Sequence, residues 1–186
     1  MQSEAGIIQG RICCHMKVVV NDANILIDLV KLQLLPHFFA LAWEFHTTSL
    51  VLDELYDSQQ EAYAAYIDNK RLTIDDLDGD ELSVLLDFRT EKPQLSEQDC
   101  SAVLLSMKTD GLLISSDKNL REFAKAKGLE VHGHLWLFDQ MVDSNTITPL
   151  RAAEKLDELK HFVNPRLHLP EVECQKRINL WKDGSL

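Results

Sequence analysis

The chain has 186 residues, 45% hydrophobic and 26% charged, which is enough for one domain with a full core. No apolar run reaches the roughly 18 residues of a membrane span. A formal net charge of −11 disfavours indiscriminate adhesion to nucleic acid or anionic membrane, although a chain that clusters carboxylates around divalent cations would carry the same imbalance.

Residues 1–15, MQSEAGIIQGRICCH, have no periodicity and no signal-peptide core. They read as a disordered tail or a start-site extension, with natural translation then beginning at Met16. The first structural stretch is Lys17 to Ile27, KVVVNDANILI. Val18 to Val20 predict a short strand buried on both faces, and Asp22 stands at its carboxyl end. A helix follows from about Ile25 to Leu35 and stops before Pro36. His37 to Trp43 predicts a second short helix, and Glu44 to Thr48 a second strand.

Ser49 is placed as the N-cap of a helix over Leu50 to Asp57, with Glu54 turned away from its apolar side. Helix continues over Glu61 to Lys70, a third strand covers Arg71 to Ile74, and the acidic turn DDLDGD precedes a helix from Glu81 to Phe88. Arg89 to Leu95 is a polar loop. Ser96 and Asp99 have capping-box spacing and open a helix that Gly111 ends. Leu112 to Ile114 is another buried strand, running into Ser115, Ser116 and Asp117. A basic helix follows, closed by Gly128 at its C′ position. Leu129 to Val131 is a strand and Leu135 to Val142 a helix. Thr148 and Pro149 form an N-cap with proline at the first helical position, opening a helix to Phe162. A last helix covers Glu171 to Trp181. The tryptophans read as packing residues, and His132-Gly133-His134 as loop.

Alternating strands and helices predict an α/β fold: a three-layer α/β/α arrangement around a central parallel sheet, plus C-terminal helices. The strand order is not legible from spacing. The domain is expected over 16–147, with 148–186 as a helical extension packed on or beside it. The cysteines, Cys13, Cys14, Cys100 and Cys174, fit neither zinc spacing nor a C-x-x-C motif. They read as free thiols, which points to a reducing, cytoplasmic setting.

Four acids occupy comparable places: Asp22 after the first strand, Glu54 on the helix after the second, Asp99 at a helix start, and Asp117 after a later strand. Converging carboxylates raise one another's pKa, and hard divalent cations relieve the repulsion. Oxygen-only ligands select Mg²⁺ or Mn²⁺ over zinc, and such ions acidify a water and stabilise a phosphodiester's developing charge. Asn24, Ser115 and Ser116 are short polar residues suited to orienting waters. Lys118 and Arg121 are candidates for meeting a phosphate backbone. Each acid also has a purely structural use: Asp22, Asp99 and Asp117 as caps, Glu54 as a solvated helical residue.

In order along the chain, V-x-N-D-x-N-I-L-I, T-T-S-L-V-L-D-E-L, S-E-Q-D-C-S-A-V and L-I-S-S-D-K-N-L resemble the acidic signature of PIN domains, from Lys17 to about Val131. The stretch G-L-E-V-H-G-H-L-W-L-F onward resembles a prokaryotic PIN-like branch with a helical C-terminal extension. The resemblance implies a metal-dependent ribonuclease, in many cases the toxin of a toxin–antitoxin pair. Its metal ligands fall on Asp22, Glu54, Asp99 and Asp117, its polar residue two after the first acid on Asn24, and its Ser/Thr two before the last on Ser115. Glu97 is an alternative to Asp99. The implied partners are RNA and an antitoxin protein, with a homodimer through the C-terminal helices as a further expectation. The alternative reading is a catalytically silent PIN-like module that binds protein. An Asp-nucleophile phosphatase is disfavoured because Asn24 stands where a second Asp is needed.

Overall fold

The computed structural model describes residues 17–183. The expectation for residues 1–15 and the pair Cys13 and Cys14 lie outside that range. Five strands form one all-parallel sheet in the order β3-β2-β1-β4-β5. They are β1 (Lys17–Asn21), β2 (Trp43–Thr48), β3 (Leu72–Asp75), β4 (Leu112–Ile114) and β5 (Val131–His132). Val19, Val20 and the whole of Leu112–Ile114 are buried, as strands covered by helices on both faces must be.

The chain winds from β1 outward to β3, then crosses back over the sheet to β4 and β5. The first crossing uses α1 (Ala23–Lys31) and α2 (Leu35–Phe39), the next α3 (Ser49–Leu52) and α4 (Asp57–Asp68). The return uses α5 (Gly79–Glu91) and α6 (Glu97–Thr109), and α7 (Lys118–Ala126) joins β4 to β5. Because parallel crossovers are right-handed, reversing the direction of winding puts α5 to α7 on the opposite face from α1 to α4. The direction reverses at β1, which lies between β2 and β4. In such sheets the crevice at the carboxyl ends of the strands flanking that reversal is where ligands bind.

Each face closes by burying aromatic and aliphatic surface. Phe38, Phe39 and Phe45 meet with ring centroids 4.5–5.1 Å apart, and Tyr63 of α4 donates to the Leu26 carbonyl of α1 at 2.8 Å. Each such ring removed from water is worth roughly 1.5–3 kcal/mol. On the other face α6 lies across β1, β2 and β4, its Cys100 to Val103 and Leu105 fully buried. Cys100 and Cys174 are free thiols inside the core.

The C-terminal helices are α8 (His134–Asp143), α9 (Pro149–Glu158) and α10 (Glu171–Lys182), with a π-turn over Leu159–Val163 between the last two. Ala152, Ala153, Leu156, Leu159, Ile178 and Trp181 join the same hydrophobic core as the sheet. Arg177 of α10 clamps Asp139 of α8 at 2.8–3.0 Å. Among the described residues, no helix is long and apolar enough to cross a membrane.

Several boundaries differ from the sequence reading. Helix α1 ends at Lys31, and Pro36 sits in the first turn of α2, where a missing N–H costs nothing. Trp43 and Glu44 both belong to β2, so the expected helix over His37 to Trp43 is only α2. The helix expected from Leu50 to Asp57 breaks after Leu52; its cap is Thr48, whose hydroxyl accepts from Val51 N at 3.1 Å. The last strand is Val131–His132, and Asp110, not Gly111, takes the left-handed conformation that stops α6. The helix from Pro149 changes at Leu159 from α to π geometry, and the helical run extends through Phe162 to Val163.

Candidate active site

At the carboxyl end of β1 the backbone N–H of Asp22 donates to Ile114 O of β4 at 3.2 Å, locking the two strand ends together. The Asp22 side chain is 3% exposed. One carboxyl oxygen accepts from the Asn24 backbone at 2.7 Å, as the N-cap of α1, and the other from the Ser115 hydroxyl. Ser115 Oγ in turn accepts from Asp117 N at 3.1 Å. A single serine therefore couples the acid after β1 to the acid after β4.

Asp117 caps α7 through Leu120 N at 2.8 Å. Asp99 sits in the first turn of α6, where Ser96 and Asp99 close a reciprocal capping box at 2.8 and 3.0 Å. That turn is held over the end of β2 by the 2.7 Å contact between Thr48 Oγ1 and Ser101 Oγ. Asp99 and Asp117 each engage one carboxyl oxygen in a helix start.

The electrostatics agree with this placement. Burial, with a smaller contribution from the charges of Asp99 and Asp117, pushes the Asp22 carboxyl up to about 7 against the opposing pull of its two hydrogen bonds. Glu54 is not on a helix but on the exposed turn after α3. Its carboxyl is raised by partial burial and then by Asp99. Asp99 is thus the acid whose charge reaches both neighbours. Glu97 is exposed and lies 3.6 Å from Arg89. As the side chains stand, no group of three His, Cys, Asp or Glu residues among the described residues is close enough to hold a metal ion. The donor set is nevertheless all oxygen, and a carboxyl raised by burial and, to a smaller extent, by acidic neighbours is the electrostatic profile a hard divalent cation would relieve.

The supporting residues divide. Asn24 is exposed beside Asp22, and Ser115 holds Asp22 directly. Ser116 bonds instead to His134, at 2.8 Å to Nδ1 and 3.2 Å to the backbone N–H. Lys118 is exposed, 3.9 Å from Glu122, whereas Arg121 folds inward and donates to Ser115 O at 2.8 Å.

Sequence reasoning missed a buried polar cluster beside this edge. Asp28, on the buried face of α1, accepts from Asn164 Nδ2 at 2.8 Å and lies 3.2 Å from His134 Nε2. The last contact is within ion-pair reach but too poorly aligned to count as a hydrogen bond. The one signal in the sequence is an aspartate at a core position of an otherwise apolar helix face. His134, expected in a loop, opens α8 and is buried.

A family model described as a PIN domain matches residues 18–183, nearly the whole described chain. The chain matches no curated protein.

Proposed function

The chain belongs to the PIN-domain family, a nuclease-type family, and from that premise we propose that it is a metal-dependent endoribonuclease in which Asp22, Glu54, Asp99 and Asp117 hold Mg²⁺ or Mn²⁺. The observation that carries this reading is the buried Asp22 carboxyl at the reversal of the sheet, tied through Ser115 to the start of α7 and raised to about 7 by burial first and then by the charges of Asp99 and Asp117. When bound, the cation supplies positive charge against the phosphodiester's developing negative charge and acidifies the attacking water.

The chain's own residues do the rest. Ser115 Oγ and the Asn24 backbone fix the orientation of Asp22. Asp99 and Asp117 are held by rigid helix starts while their second oxygens stay available. Glu54, on a turn, is the acid with the most freedom to close over a ligand. In a toxin–antitoxin pair, an antitoxin segment would cover this edge and insert a cation among the carboxylates.

The test is cleavage of single-stranded RNA in Mn²⁺ by the full chain and by Asp22→Asn. The wild type is expected to cleave and the variant to lose cleavage; equal cleavage by both places the chemistry elsewhere.

A second reading, a silent PIN-like module that binds protein, is favoured by the spacing of the acids, since no three of them stand within reach of one ion. Calorimetric titration with Mn²⁺ separates the two: binding heat supports the nuclease, and its absence supports the silent module.

A further inference from the structure

On the far side of Ser115 a cavity of about 350 Å³ opens between the start of α8 and the segment before α10. Its walls include Ser116, Arg121, His132, His134, His168 and Arg177. The two guanidinium groups differ in circumstance. Arg177 is neutralised by Asp139 and by Glu173 at 3.0 Å. Arg121 has no carboxylate within ion-pair reach among the described residues, and its one hydrogen bond there is to Ser115 O. A guanidinium carries five N–H donors, so most of those on this half-buried side chain have no protein acceptor.

Gly133 shapes the floor. A Cβ there would come within 3.1 Å of Arg121 Nη1 and 2.9 Å of Ser116 Oγ, so the missing side chain is what lets the guanidinium lie against the backbone. His132 forms a stiff wall, stacked on Trp136 at 4.0 Å. The cavity combines an apolar wall of Leu135, Leu167 and Leu169 with a guanidinium that has no carboxylate partner among the described residues, in a chain of net charge −11.

Ser115 touches both regions: its hydroxyl holds Asp22 and its carbonyl holds Arg121. One buried residue therefore adjoins both the carboxylate edge and the Arg121 side of the cavity. We propose that this cavity receives a backbone phosphate of the RNA strand flanking the one at the carboxylate edge, with Arg121 as its principal contact and the exposed His168 as a further donor. The inference rests on the nuclease reading for the direction of the strand, but the anion site itself does not require cleavage.

The test uses the full chain in EDTA with a fluorescent, uncleavable 2′-O-methyl RNA oligonucleotide, titrated at several salt concentrations. Arg121→Gln is expected to bind about tenfold more weakly at low salt and to flatten the log–log salt dependence by about 0.7, the loss of one phosphate contact to a single strand. Lys125→Gln, an exposed change on the same helix, should alter the slope less. Equal affinity and slope for wild type and Arg121→Gln overturn the proposal.

Should Arg121→Gln fail to fold, ¹⁵N-labelled wild type titrated with inorganic phosphate at fixed ionic strength decides instead. Shifts at the Ser116 and Gly133 amides support the site, and their absence overturns it. The two readings fail separately. Arg121-dependent binding without Mn²⁺-dependent cleavage removes the nuclease and keeps the anion site. Cleavage with Arg121-independent binding does the reverse.

Discussion

Replacing Asp22 by asparagine should make the metal-free protein more stable at alkaline pH and leave it nearly unchanged at acid pH. The Asp22 carboxyl rises from 3.8 to about 7 on folding. Between those values the native state holds a proton that the unfolded chain has released, so stability falls as pH rises through the window and is flat above about pH 7. Three pKa units at 1.36 kcal/mol each give about 4 kcal/mol of destabilisation in the ionised, metal-free form. Asparagine stays neutral and still accepts from the Asn24 backbone, but it weakens the bond to Ser115 by about 1 kcal/mol.

The variant should therefore exceed the wild type by about 3 kcal/mol near pH 8.5 in EDTA, and should lie within about 1 kcal/mol of it near pH 4. Urea unfolding at both pH values measures this, and the difference between variant and wild type cancels most other titrating groups. Divalent metal should erase the advantage, since an ion at 100 times its Kd restores about 2.7 kcal/mol to the wild type. A difference that does not change with pH, or a variant less stable at alkaline pH, would refute the reasoning and leave Asp22 as an ordinary helix cap.

Ser96→Ala removes the hydroxyl half of the α6 capping box and should cost about 1 kcal/mol in urea unfolding while leaving Mn²⁺-dependent cleavage within a few-fold of wild type. Asp99→Ala should lose both stability and cleavage, which separates the cap from the site. Asp28→Ala strips Asn164 and His134 of their buried partner and should cost about 2–4 kcal/mol by the same measurement. Tyr63→Phe deletes the bond to Leu26 O and should cost about 1 kcal/mol.

The features legible in the sequence were those set by local chemistry. Val18 to Val20 and Leu112 to Ile114 announce buried strands because runs of β-branched and aliphatic residues at that length have few other uses. Ser96 with Asp99, and Thr148 with Pro149, mark helix starts because the donors they satisfy are local. The break after Leu52 was not legible: no glycine or proline marks it, and Leu50, Val51, Leu52 and Leu55 continue a helical apolar pattern through the turn. Trp43 belongs to β2 through its pairing with Lys17, a tertiary contact that no local spacing encodes.

The candidate site was legible in part for the same reason. Asp22 and Asp117 stand directly after buried strands, so their level in the fold follows from their neighbours. The Asp28–His134–Asn164 cluster and the inward fold of Arg121 depend on helices that meet only after the chain has crossed the sheet and returned. No spacing in the sequence encodes those contacts.

The central claim is that the acids at the end of β1, β2 and β4 form one cation site. Titration of Mn²⁺ into the wild type and Asp22→Asn, followed by electron paramagnetic resonance of the free ion, tests it directly at pH 8. Saturable uptake by the wild type that Asp22→Asn abolishes is the expected result. Uptake that is equal in both proteins, or absent from both, would contradict the account.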